Sequence, residues 1–224
     1  MYTLKEIETN GLHYIELASF NEKSKAKICL NQGGRLSSFS FENTQILEDF
    51  DSSSYRENYA SAILFPFANR IKDGKYTFKD YMYKLDCNET HKNNALHGLV
   101  YNKLFALINK ELTSDFASVT LQYKDYGKVK GFPFKFHIEL SYTLSKNGMT
   151  LAIKVKNKGK KTFPFTLGWH PYFYTTDLYK SSINFKSDKK YVCNEQQIIT
   201  ATTALDLEMP FKLKDVKLDD GFPL

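Results

Sequence analysis

A chain of 224 residues, 42% hydrophobic and 25% charged, is long enough for one larger all-β domain and too apolar to stay disordered. Its net charge of +6 comes from 31 basic residues interspersed with 25 acidic ones, so a nucleic-acid binder has charge alone in its favour and no motif. Cys29, Cys87 and Cys193 never approach CxxC spacing, and no run nears the roughly 18 apolar residues of a membrane helix; this points away from a zinc site, a disulfide framework and a membrane, and toward a reducing, cytoplasmic setting.

In chain order, period-two alternation recurs where helical periodicity does not. Short strands are expected over His13 to Ala18, Lys27 to Leu30 and Leu36 to Phe41. Tyr76 and Phe78, then Tyr81, Tyr83 and Leu85, flank Lys79-Asp80 as a hairpin. The polar stretch from Glu89 to Asn94 reads as a loop leading into Leu96-His97-Gly98, and Val119, Leu121 and Tyr123 form a further strand. Phe136, Ile138, Leu140, Tyr142 and Leu144 then share one face, opposite His137, Glu139, Ser141 and Thr143. Asn147-Gly148 suits the positive φ of a type I′ turn, after which Leu151, Ile153 and Val155 return as the second arm of a hairpin. Lys154, Lys156 and Lys158, with Lys160 and Lys161, read as a solvated outer face. Many short strands and no amphipathic helix predict a large antiparallel β-sandwich, with residues 1–224 as a single domain.

Three segments place chemically able side chains in apolar or glycine-bearing surroundings. In Phe65-Pro66-Phe67-Ala68-Asn69-Arg70-Ile71 the arginine is expected to be partly buried, and a buried guanidinium needs acceptors, either backbone carbonyls or ligand oxygens. In Ala95-Leu96-His97-Gly98-Leu99 the histidine is either a satisfied core residue or a site residue beside a glycine that lets the backbone turn. Leu167-Gly168-Trp169-His170-Pro171-Tyr172-Phe173 gathers the only tryptophan, a histidine and two more aromatics, which suits either core packing or the apolar face and hydroxyl rim of a sugar.

Together these segments resemble the aldose 1-epimerase (galactose mutarotase) family: Ala68-Asn69-Arg70-Ile71, Gly74, Asn94-Ala95-Leu96-His97-Gly98, and His170 with Tyr172-Phe173 occur in the family's order. The resemblance is strongest over residues 60 to 105 and 163 to 174. It implies a β-supersandwich whose shallow cleft binds a hexose or hexose phosphate with no metal and no cofactor. It also implies that His170 is the acid that protonates the ring oxygen, that His97 partners the ring or anomeric oxygen, and that Arg70 and Asp219 hold hydroxyls, with Asn69 orienting Arg70 or binding directly and Asp219 lying in Leu218-Asp219-Asp220-Gly221-Phe222. Trp169, where the surround departs from the family's usual one, is expected to bind sugar from its place beside His170. The family's base is a glutamate in a later strand, and the sequence stops at Leu224, so the resemblance implies a sandwich lacking its C-terminal strands; Asp206, Glu195 and Glu208 are in-chain carboxylates with no supporting context. The activity implied is interconversion of the α and β anomers of a hexose. The alternatives are a hexose-6-phosphate mutarotase and a non-catalytic sugar-binding protein.

Overall fold

A computed structural model describes residues 1–49, 54–215 and 218–223. The first sheet is a five-stranded antiparallel meander of β1 (Thr3–Thr9), β2 (Leu12–Ala18), β3 (Lys25–Cys29), β4 (Arg35–Phe41) and β5 (Thr44–Glu48). A one-turn helix α1 (Tyr55–Asn58) and the short strands β6 (Ile63–Leu64) and β7 (Arg70–Lys72) follow, then the hairpin β8 (Lys75–Phe78) and β9 (Tyr81–Lys84), and β10 (Asn94–Leu96). The second large sheet runs β11 (Ala106–Leu112), β12 (Phe116–Tyr126), β13 (Lys135–Ser145) and β14 (Gly148–Asn157), in that order and antiparallel. The remaining strands are β15 (Gly168–Trp169), β16 (Ser182–Ile183), β17 (Lys189–Cys193), β18 (Ile199–Ala204) and β19 (Phe211–Lys212); β15 pairs with β6, β16 with β19, and β17 with β18.

The side-chain alternation of β13 explains why two sheets pack. Phe136, Ile138, Leu140, Tyr142 and Leu144 are all buried, as are Ala117, Val119 and Leu121 of β12, and they form one cluster with Ile15, Leu17, Ala26, Ile28, Leu36 and Phe39 of the first sheet. Burying each large member removes enough apolar surface to stabilise the fold by about 1.5–3 kcal/mol. The opposite face of the same strands is polar: Ser118 meets Thr143 and Thr120 meets Ser141, both at 2.9 Å, and Gln122 donates to Glu139 at 2.8 Å. A one-residue slip of β13 would exchange these faces, which fixes its register.

Two local expectations are corrected. Register sets Ser145 opposite Gly148 and Leu144 opposite Met149, so Lys146 and Asn147 form the loop and the positive φ of 114° falls on Gly148; keeping Leu144 on the core face moves the turn off type I′. The stretch Glu89 to Asn94 is no plain solvated loop: it holds a 3-10 helix over Thr90–Lys92, and Glu89 is only 7% exposed because a cation faces it across the chain. Strands β1, β5, β17 and β18 carry too few alternating apolar residues to be read from the sequence and form through pairing with neighbours.

The first sheet reaches the segment around α1 through one buried cation. Arg35 is fully buried: its Nε donates to Gln32 Oε1 at 2.8 Å, Nη1 to the Ala60 carbonyl at 3.1 Å and Nη2 to Asp49, while the guanidinium lies 4.3 Å from the centre of the Tyr55 ring. Removing one partner of such a pair leaves an uncompensated buried charge. The Arg35→Ala variant is therefore expected to lose about 3–5 kcal/mol of stability, measured by urea unfolding.

Candidate active site

The middle of the site is the irregular segment from Ser61 to Arg70. On one side it pairs with the β15 segment: Leu64 stands opposite Gly168 and Ile63 opposite Trp169. The ladder continues as His170 N–H donates to Ala62 at 3.1 Å and Ser61 N–H donates to His170 at 2.7 Å. On its other side Phe65 accepts from Leu99 N–H at 2.7 Å, Asn69 accepts from His97 N–H at 3.0 Å, and Leu96 of β10 stands opposite Arg70 of β7. Residues near 65, 97 and 170, remote in sequence, are thereby set side by side.

Tight backbone accompanies this arrangement. Tyr59, Ser61, Asn69 and His97 take positive φ values of 53°, 58°, 80° and 63°. Gly98 has φ 77°, and a Cβ there would lie 2.3 Å from the Phe65 carbonyl oxygen, so no side chain fits where the two strands meet.

Asn69, Arg70, His97, Trp169, His170 and Asp219 all line one cleft of about 1030 Å³. The two imidazoles meet edge to face, ring centres 5.3 Å apart at 74°; Tyr59 packs against His97 at 4.7 Å and Tyr172 against His170 at 5.6 Å. Among the described residues, Nδ1 of each histidine is buried with no hydrogen-bond partner. Burial pushes His97 down to about 4, with the charges of His170 and Arg70 adding to the effect and Glu89 opposing it. His170 is also lowered by burial, with a hydrogen bond to its own backbone and then the Asp219 carboxylate opposing. Both rings are therefore neutral at pH 7 in the empty cleft.

Arg70 takes neither backbone carbonyls nor an open cleft as its main partner. Its Nε donates to Glu89 Oε2 at 2.9 Å and its Nη2 to Glu89 Oε1 at 2.9 Å, a two-pronged pair, and Nη1 donates to Asn69 Oδ1 at 3.3 Å. Asn88 holds β10 from below, accepting from Leu96 N–H at 2.7 Å and donating to the Leu96 carbonyl at 3.1 Å and the Tyr101 hydroxyl at 3.2 Å. Sequence reading missed Glu89, Asn88 and Tyr59. Glu89 and Asn88 precede the histidine motif in a polar run, and only the pairing of β7 with β10 reveals what they face.

Trp169 is 38% exposed, with one side on the cleft and another on an apolar cavity of about 400 Å³ shared with Phe39, Leu47, Leu151 and Phe173. Asp219 is exposed, and its charge reaches both His170 and Tyr172. Asp206, Glu195 and Glu208 do not line the cleft. Among the described residues there is no group of three or more side chains that could hold a metal, and no helix long and apolar enough to cross a membrane.

The family model for aldose 1-epimerases matches residues 16–222. The chain belongs to the aldose 1-epimerase family. It is similar to the uncharacterized protein YphB of Escherichia coli, 27% identical over 143 residues, 64% of this chain and 47% of that protein. It is also similar to the galactose mutarotase of Rattus norvegicus, 26% identical over 169 residues, 70% of this chain and 48% of that one. Among solved structures, a galactose mutarotase-like protein from Clostridium acetobutylicum superposes with a TM-score of 0.80 at 24% identity, covering 90% of this chain and 64% of the other. The galactose 1-epimerase of Lactobacillus acidophilus gives 0.75 at 16% identity, covering 97% and 66%; both likenesses concern the fold. The chain spans about half the length of these two curated relatives.

In this aldose 1-epimerase family member the neutral state of His97 has a consequence for stability. A histidine whose folded pKa lies below its unfolded value near 6.5 stabilises the fold fully above that pH, and the contribution is lost as pH falls toward about 4. Thermal unfolding temperatures are expected to drop between pH 6.5 and 4, and to drop less steeply in His97→Asn, since asparagine tolerates the left-handed backbone at this position.

Proposed function

We propose that the cleft binds a neutral aldose and interconverts its anomers by acid and base catalysis, within a single domain of residues 1–224. The observation that carries this reading is the pair of imidazoles in ring contact, with Arg70, Asn69, Trp169 and Asp219 on the same cleft. Opening a pyranose needs the anomeric hydroxyl proton removed while the ring oxygen gains one; closing on the other face of the aldehyde reverses both transfers. His170, in its protonated form, is the proton donor to the ring oxygen, His97 holds the ring or anomeric oxygen, and the anomeric hydroxyl proton passes to a water molecule acting as base. Arg70 and Asp219 hold hydroxyls, and Trp169 offers an apolar face. Each positioned proton transfer contributes about 10²–10⁴-fold.

Charge favours a neutral sugar over a hexose 6-phosphate. Among the described residues no lysine lines the cleft; Arg70 is already paired with Glu89, and the remaining lining charges among them are Arg56 against Glu57, Asp219 and Asp220. A phosphate dianion would meet net negative charge there.

A second reading, a sugar-binding protein with little catalysis, has one observation behind it. Glu89, the cleft carboxylate with the deepest burial, would be raised by that burial, but hydrogen bonds from Arg70 and Asn94 outweigh it and hold it below the usual glutamate value. Its basicity is thereby weakened.

The two readings separate by experiment. Titration of Trp169 fluorescence with galactose or glucose is expected to show saturable change, and with the 6-phosphates at least tenfold weaker binding; equal affinity for both overturns the neutral-sugar preference. Polarimetry on fresh α-anomer is expected to show buffer-subtracted anomerisation that rises as pH falls from 7.5 toward 6, because the protonated fraction of His170 grows. His170→Asn is expected to lose about 10²-fold or more and that pH dependence with it. A wild-type rate no greater than buffer, with sugar binding intact, selects the second reading.

A further inference from the structure

The Arg70–Glu89 pair is built more heavily than an ion pair at a cleft edge requires. Glu89 receives Arg70 Nε at 2.9 and 3.2 Å, Arg70 Nη2 at 2.9 Å and Asn94 Nδ2 at 2.8 Å. Asn94 is fully buried, and its amide also donates to the Gln196 carbonyl at 2.8 Å, while Gln196 Nε2 donates to the Lys92 carbonyl at 3.2 Å. The backbones of Glu89 and Asn94 exchange two further bonds, at 3.1 and 3.2 Å. The carboxylate is therefore clamped both through its own main chain and through a side chain anchored 102 residues away.

Counting donors shows what the clamp leaves. A guanidinium has five N–H groups in a fixed plane. Glu89 occupies the Nε–H and one Nη2–H, and Asn69 occupies one Nη1–H. One N–H on each of the neighbouring atoms Nη1 and Nη2 is left over, and Arg70 lines the cleft with 22% of its side chain exposed. Donors on two neighbouring nitrogens can meet two neighbouring oxygens on a ligand.

We infer that Glu89 is a positioning residue that fixes the Arg70 guanidinium so that its remaining Nη1 and Nη2 donors are presented to two adjacent hydroxyls of the bound sugar. The inference rests on the aldose reading of the cleft. An unheld arginine would surrender rotamer entropy on gripping a ligand, and the clamp meets that cost when the chain folds. Asn94 extends the device by securing Glu89 to the segment that joins β17 to β18.

The role is tested by nuclear magnetic resonance and by a binding cycle. In the wild-type protein the Arg70 Nε–H is expected as a distinct, slowly exchanging signal that disappears in Glu89→Gln while circular dichroism stays unchanged. Sugar affinity, read by Trp169 fluorescence with galactose or glucose, is expected to weaken about tenfold in Glu89→Gln, a loss of about 1.4 kcal/mol. In an Arg70→Ala background the same glutamine substitution is expected to change affinity less than twofold, because Glu89 acts through the arginine. A purely structural role would make the two effects additive, and additivity overturns the inference. So does an unchanged Nε–H signal, or unchanged affinity in Glu89→Gln when the wild-type protein binds sugar. Absence of sugar binding by the wild-type protein overturns the aldose reading and this role with it.

Discussion

The site depends on one constraint: the segment from Ser61 to Arg70 is hydrogen-bonded along both of its sides. Its carbonyls and amides are shared between residues 166–170 and residues 96–99, so the two histidines are placed by backbone bonds that their side chains do not have to make. Backbone bonds of this kind each add only about 0.5–1.5 kcal/mol net. Their value here is geometric, because they fix Cα positions around the cleft while leaving Nδ1 of each imidazole uncommitted.

Such a segment cannot be regular. Left-handed residues at Ser61 and Asn69 within it, and at Tyr59 and His97 beside it, each carry backbone strain of order 1–3 kcal/mol, which a short irregular stretch has no means of offsetting alone. The surrounding structure supplies the offset. Phe65 sits inside the sandwich core against Phe136 at 4.9 Å, and Arg35 grips the Ala60 carbonyl from the first sheet. Tyr55 adds a hydroxyl bond of 2.8 Å to the Tyr101 carbonyl, tying α1 to the chain that follows Gly98. The large sheets thus hold a strained strip whose Ile63, Phe65 and Phe67 are part of the core they share.

How much of this was legible in the sequence follows from where the information lies. Strand β13 declares itself because burial on one face writes a period of two into neighbouring residues, and the hairpin β8–β9 because both arms are local. Strand β1 declares nothing, since most of it is exposed and its pairing to β2 is set by the partner. The cleft residues named from motif order do line one cleft, because Asn69-Arg70, His97 and His170 each stand in an apolar or glycine-bearing context that a solvated residue would not keep. Glu89 escaped notice for the opposite reason. It sits in a polar run whose composition matches a surface loop, and its burial arises from Arg70, 19 residues earlier, across a pairing that no local pattern encodes.

The electrostatics around the imidazoles also support unequal parts for them. Two rings in contact cannot both be protonated without repulsion, so a proton on one lowers the basicity of the other. Burial, then His170 and then the positive Arg70 push His97 to about 4, while His170, also lowered by burial, has its backbone hydrogen bond and the Asp219 carboxylate opposing the shift. A proton entering the pair therefore settles on His170, and His97 remains a neutral ring able to accept or donate a single hydrogen bond. Environments that push two titratable groups apart are how one site assigns a proton donor and a neutral partner. Burial does most to lower both rings, and for His170 a backbone hydrogen bond opposes it ahead of Asp219; Arg70 and Asp219 add to the contrast, and because both also hold the sugar in the proposed complex, binding and proton placement share those charges.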